Sequence, residues 1–131
     1  MVERKILVVD DEQPVRDLFS RILERAGYKV RVAESGEAGL EAMRAEPAWV
    51  LFLDLNLPGM NGLELCRAIR AEWPMAVAHA VTGYASLFEL SDCRAAGFED
   101  YFTKPVASAH LRDAAARAFA KLDRWKERPT D

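Results

Sequence analysis

Five side chains in this sequence could do chemistry together: Asp10, Asp11, Asp54, Thr82 and Lys104. Each stands where an apolar run gives way to a polar loop. Ile6-Leu7-Val8-Val9 closes on Asp10-Asp11, and Val50-Leu51-Phe52-Leu53 closes on Asp54 before a loop rich in Pro, Gly and Asn. The run Ala76 to Val81 ends in Thr82-Gly83, and Asp100-Tyr101-Phe102-Thr103 ends in Lys104-Pro105. Taken singly, an Asp or Thr at a strand end reads as a helix cap or turn former, and a lone Lys as a solvated surface group. Taken together they are three acids, a hydroxyl and an ammonium. Two carboxylates about 4 Å apart repel by roughly 4 kcal/mol at an effective dielectric near 20. Gathered acids therefore take up protons or bind a cation. All-oxygen ligation suits a hard ion such as Mg²⁺, which uses one or two carboxylates plus waters and phosphate oxygens. A phosphoryl group supplies those oxygens. Its charge would be met by the ion, by Lys104 and by Thr82, with Asp54 as the carboxylate nucleophile.

Positioning these groups requires that the apolar runs lie side by side. Runs without alternation read as strands buried on both faces of a parallel sheet. Between them the apolar spacing turns helical. Pro14 opens a helix carrying Val15, Leu18, Phe19, Ile22, Leu23 and Ala26, and Gly27 stops it. Tyr28 to Ala33 alternates as an edge-side strand; Ser35 caps a helix that contains Gly39 and reaches about Glu46. Further helices are expected from about Gly62 to Glu72 and from about Ser86 to Ala96. The last helix carries Leu111, Ala114, Ala115, Ala118 and Leu122, its start lying at Ala107 or Ser108. Trp125 is expected beyond the end of that helix, and the chain after Lys126 as a frayed tail. Five strand–helix pairs in alternation require right-handed crossovers and an α/β, doubly wound three-layer sandwich. All strands then end on one edge, where open parallel sheets bind ligands. Residues 1–122 form the domain and 123–131 an extension or the start of a linker.

The net charge of −3 gives no basic field for nucleic acid or membrane, and no apolar run reaches membrane-spanning length. Cys66 and Cys93 lack C-x-x-C spacing, so two buried free thiols in a reduced, cytoplasmic setting are expected. His79, mid-strand between Ala78 and Ala80, is expected to be buried, neutral and bonded to backbone.

The segments Val8-Val9-Asp10-Asp11-Glu12, Asp54-Leu55-Asn56-Leu57-Pro58-Gly59-Met60-Asn61-Gly62, Val81-Thr82-Gly83 and Thr103-Lys104-Pro105 closely resemble the receiver domain of two-component response regulators, CheY-like single-domain type. The resemblance covers about Arg4 to Leu122. It implies a flavodoxin-like (βα)5 sheet in the order 2-1-3-4-5. It further implies that Asp54 accepts a phosphoryl group from the phosphohistidine of a sensor histidine kinase or phosphotransfer protein. Asp11 and Asp54 would ligate Mg²⁺ with the Asn56 backbone carbonyl, and Asp10 would act through water. Lys104 would pair with Asp54 or its phosphoryl group, and the Lys104-Pro105 bond would be cis. Thr82 would gain in the phosphoryl oxygen a partner it lacked, and Tyr101 would swing inward behind it. That would switch the face made by the fourth and fifth helices and the fifth strand, for a downstream target protein or a homodimer. Asn56 and Tyr84 occupy positions beside the presumed water path to the phosphoryl group.

The leading expectation is thus a stand-alone switch that catalyses its own phosphorylation and dephosphorylation, with no metabolic substrate and no direct nucleic-acid or membrane binding. Three alternatives stay open. One is a receiver belonging to a multidomain regulator or hybrid kinase. Another is an acid-nucleophile phosphatase, although those enzymes generally place a second acid two residues after the nucleophile, where Asn56 stands. The third is a degenerate receiver used as a scaffold, which the presence of all five residues disfavours.

Overall fold

Strand β1 (Lys5–Val9) lies between β2 (Lys29–Ala33) and β3 (Val50–Asp54), and β4 (Val77–Thr82) and β5 (Asp100–Thr103) continue the sheet. All neighbours are parallel and the order is β2-β1-β3-β4-β5, the expected flavodoxin-like arrangement. The computed structural model describes residues 1–84 and 87–127. The helices are α1 (Gln13–Arg25), α2 (Gly36–Ala45), α3 (Gly62–Glu72), α4 (Leu87–Ala96) and α5 (Ser108–Lys126).

The strands sort their side chains by parity. Leu7, Val9, Leu51, Leu53, Ala78 and Ala80 face α2, α3 and α4, whose Met43, Leu65, Ile69 and Cys93 complete one core. Ile6, Val8, Val50, Phe52, Val77 and Val81 face α1 and α5, whose Phe19, Leu23, Leu111 and Phe119 complete the other. β1, β3 and β4 are buried on both faces, which is why their sequences are continuously apolar. The edge strands β2 and β5 are partly exposed, in keeping with their mixed composition.

Local chemistry accounts for most helix ends. The Ser35 hydroxyl accepts from the Ala38 N–H at 3.0 Å and starts α2. Gly39 lets α2 lie against β1: a Cβ there would stand 2.9 Å from Val9 Cγ2. Asn61 and Glu64 form a reciprocal capping box on α3. Ala107 is the N-cap of α5 and makes no side-chain bond, so Ser108 is its first helical residue. The Ser86 start expected for the fourth helix lies outside the described residues, as does the tail from Arg128 to Asp131.

The C-terminus corrects one expectation. α5 runs on to Lys126, so Trp125 lies inside it, 52% exposed, and residues 123–126 belong to the fold. The Asp123 carboxylate accepts from the Val2 N–H at 2.7 Å and from both Arg4 terminal nitrogens at 3.2 and 2.8 Å. Those bonds tie the last turns to the entry of β1, and Arg124 and Lys126 suit the negative end of the helix dipole.

Candidate functional site

The carboxyl edge of the sheet brings the expected side chains together. Asp54 is the last residue of β3 and only 3% exposed; its Oδ1 accepts from the Asn56 N–H at 3.1 Å. Asp10 follows β1 and is 2% exposed; its Oδ1 accepts from the Glu12 N–H at 2.9 Å. Arg16 donates to the Asp10 carbonyl at 2.8 Å, holding the loop that carries the acids. On the other side of Asp54 the N-terminus of α3 comes in at Gly62. A Cβ there would collide with the Asp54 carbonyl oxygen and stand 2.8 Å from Leu55 Cα, so only glycine permits this approach.

Lys104 reaches the acids from β5. Its N–H donates to the Thr82 carbonyl at 2.7 Å, and the Lys104-Pro105 bond is cis, as expected. Its Nζ lies 2.9 Å from Asp10 Oδ2, 3.4 Å from Glu12 Oε1 and 3.6 Å from Asp54 Oδ2. The expected partner Asp54 is thus in reach, but Asp10 holds the shortest bond. Burial opposes the Lys104 charge, yet the Asp10 hydrogen bond and the charges of Asp54, Asp10 and Glu12 leave its pKa above the usual value. Burial raises the pKa of Asp54. The Asn56 N–H pulls it back, the Asp10 charge raises it, Lys104 lowers it, and Asp11 raises it again.

Asp10, Asp11 and Glu12 each offer a carboxylate oxygen within 4.8 Å of the others, Asp10 buried and the other two exposed. Glu12 is a site residue that the sequence reading passed over, although it continues the acidic run. Around these groups four carboxylates face one ammonium. The surplus negative charge and the all-oxygen donors fit a hard dication.

Thr82 departs from expectation. Its hydroxyl, in a residue 1% exposed, already donates to the Tyr84 carbonyl at 2.6 Å and accepts from the Tyr84 N–H at 3.2 Å. A hydroxyl buried that deeply needs a partner, and the turn after β4 supplies one. Asn56 Nδ2 approaches the same oxygen at 3.4 Å, linking the Thr82 and Asp54 loops. Tyr101 is 39% exposed in β5. His79 is buried as expected, bonded through Nδ1 to the Leu51 carbonyl at 3.1 Å and stacked 4.6 Å from Phe52. Both cysteines are buried and free, and burial pushes the Cys66 thiol up to about 12. Among the described residues no helix is long and apolar enough to cross a membrane.

A family model described as the response regulator receiver domain matches residues 6–116. Among solved structures, a CheY-like receiver domain protein from Methanospirillum hungatei is 33% identical, with a TM-score of 0.83, covering 96% of this chain and 98% of that one. The chemotaxis protein CheY4 of Vibrio cholerae is 27% identical, with a TM-score of 0.84 and coverage of 89% and 99%. NtrX from Brucella abortus is 32% identical over 94% of this chain but only 28% of its own, with a TM-score of 0.84.

Proposed function

The chain belongs to the response regulator receiver domain family, and from that premise we propose that it is a phosphorylation switch centred on Asp54. The observation that carries this reading is the meeting, at one sheet edge, of a nearly buried carboxylate, an ammonium 3.6 Å away and three further acids. The donor is the phosphohistidine of a sensor histidine kinase or phosphotransfer protein. One Asp54 oxygen forms the new P–O bond as the P–N bond breaks, and the leaving imidazole nitrogen takes a proton from water.

Asp11, Asp54 and the Asn56 carbonyl would hold Mg²⁺, with Asp10 through water and Glu12 adding charge. The ion supplies charge neutralisation to the transferred group. Lys104 would move its bond from Asp10 towards the phosphoryl oxygens. Thr82 would exchange the Tyr84 carbonyl for a phosphoryl oxygen, so the switch costs one hydrogen bond to make another. Its departure leaves the Tyr84 carbonyl to solvent and lets Tyr101 turn inward. The surface of α4, β5 and α5 then presents an altered face to a downstream protein or a second copy.

Full-chain labelling by acetyl phosphate or phosphoramidate with Mg²⁺ tests the reading: Asp54→Asn should take up none. Equal labelling of that variant would remove Asp54 from the role. Capture of partners with and without beryllofluoride tests the switch. The NtrX match shows such a unit inside a longer chain; whether the reading frame continues past Asp131 decides that arrangement here. Asn56, in place of a second acid, argues for self-directed chemistry over turnover of metabolites.

A further inference from the structure

The loop from Leu55 to Asn61 joins the end of β3 to the start of α3 and carries the Asn56 carbonyl. Its two ends are tied to the sheet and to each other. The Leu55 N–H donates to the Val81 carbonyl at 3.0 Å, the Asn56 N–H to Asp54 Oδ1 at 3.1 Å and the Gly62 N–H to the Leu55 carbonyl at 3.2 Å. Leu55 and Leu57 are buried and hold its inner side. The tip meets α2 instead: the Met60 N–H donates to Glu37 Oε1 at 3.1 Å. We infer that Glu37 is a positioning residue for the metal-binding loop, holding its tip so that the Asn56 carbonyl stays aimed at the cation. This role rests on the reading of Asp54 as phosphoryl acceptor and adds to it a residue from off the sheet edge.

The contact is built from both sides. Gly59, at φ +71°, turns the loop towards α2, and a Cβ there would stand 3.2 Å from Glu37 Oε2. On the helix, a Cβ on Gly36 would stand 2.6 Å from the Met60 carbonyl oxygen. Two glycines thus bring the first turn of α2 against the backbone of the loop tip, with the Glu37 carboxylate across the junction. Met60 itself is half-buried against the core below. A carboxylate accepting from a backbone N–H makes a stronger bond than a neutral acceptor does. Glu37 is not part of the cluster of Asp10, Asp11 and Glu12, so it acts through Met60 and not as a ligand. Mg²⁺ demands near-ideal octahedral geometry, so a loosened loop should weaken its binding. Partners that orient a ligand from behind matter to affinity nearly as much as the ligand does.

Calorimetric titration of the full chain with magnesium chloride, for the wild type, Glu37→Ala and Glu37→Gln, tests this. Glutamine keeps Oε1 as an acceptor, and both variants lose the same charge near the N-terminus of α2, so the difference between them reports the Met60 bond. Glu37→Ala should bind Mg²⁺ about tenfold more weakly, and Glu37→Gln should recover most of the loss. The Mg²⁺ dependence of labelling by acetyl phosphate should shift in step, while the rate at saturating Mg²⁺ and the metal-free urea midpoint stay near wild type. A role in fold stability alone would lower that midpoint instead. Amide exchange at Met60 should quicken in Glu37→Ala. Unchanged Mg²⁺ affinity in Glu37→Ala, equal losses in both variants, or a loss confined to the metal-free midpoint would overturn the assignment and leave Asp54 in its role. A wild type that takes up no label at any Mg²⁺ concentration would overturn the phosphorylation reading, and this role with it.

Discussion

Asp54 must be ionised to act as a nucleophile, yet its burial and the Asp10 charge favour the protonated form. An acid whose folded pKa is raised binds its proton more tightly in the folded state, so its contribution to stability falls as pH rises through that value. At neutral pH the charged Asp54 therefore works against the fold. Asp54→Asn should raise the metal-free melting temperature by a few degrees while abolishing acetyl phosphate labelling. Differential scanning calorimetry in EDTA checks the first outcome, and a fall in melting temperature would refute it. Lys104 carries the opposite duty. Removing one partner of a nearly buried pair costs about 3 kcal/mol or more. Lys104→Met should fold, lose roughly that much in urea titrations without metal, and label more slowly than the wild type.

At the scale of elements, two contacts hold the site in position. The approach of α3 to the end of β3 depends on Gly62, and overpacking costs about 1–3 kcal/mol. Gly62→Ala should destabilise by at least that range and depress labelling, because the Asp54 carbonyl has to move. At the far end of the molecule Arg4 and the Val2 N–H hold Asp123 down to about 2, Arg4 contributing most. A carboxylate with a depressed folded pKa stabilises fully above its unfolded value of about 3.9, and that contribution is lost as pH falls through the folded one. Urea midpoints of the wild type should therefore drop between about pH 4 and pH 2 more steeply than those of Asp123→Asn. Parallel curves would show that the contact does not anchor α5.

For the whole molecule, an ion held by the acidic cluster would couple binding to folding. A ligand at ten times its Kd that binds only the folded state stabilises by about 1.4 kcal/mol. Millimolar Mg²⁺ should raise the melting temperature of the wild type, and less so that of Asp11→Asn; an unchanged melt would count against the acidic site. The parallel sheet and the convergence of Asp10, Asp54, Thr82 and Lys104 were legible in the residue pattern, whereas the strand order came with the family resemblance. A strand buried on both faces must be continuously apolar, and a parallel sheet must end all its strands on one edge. Three features were not legible: the bond between Thr82 and the Tyr84 carbonyl, the preference of Lys104 for Asp10, and the pinning of α5 by Arg4. Each is a choice among nearby polar partners, made by differences of an ångström that no pattern of residue types encodes.

The amino-acid order by itself determined the layers, the sheet edge where the polar groups gather and the identity of those groups, because burial pattern and turn chemistry act locally along the chain. Only the tertiary structure decided which acid holds the ammonium, where the last helix ends and that Glu37 reaches Met60. Those outcomes depend on distances between segments far apart in the chain, Val2 lying 121 residues from Asp123.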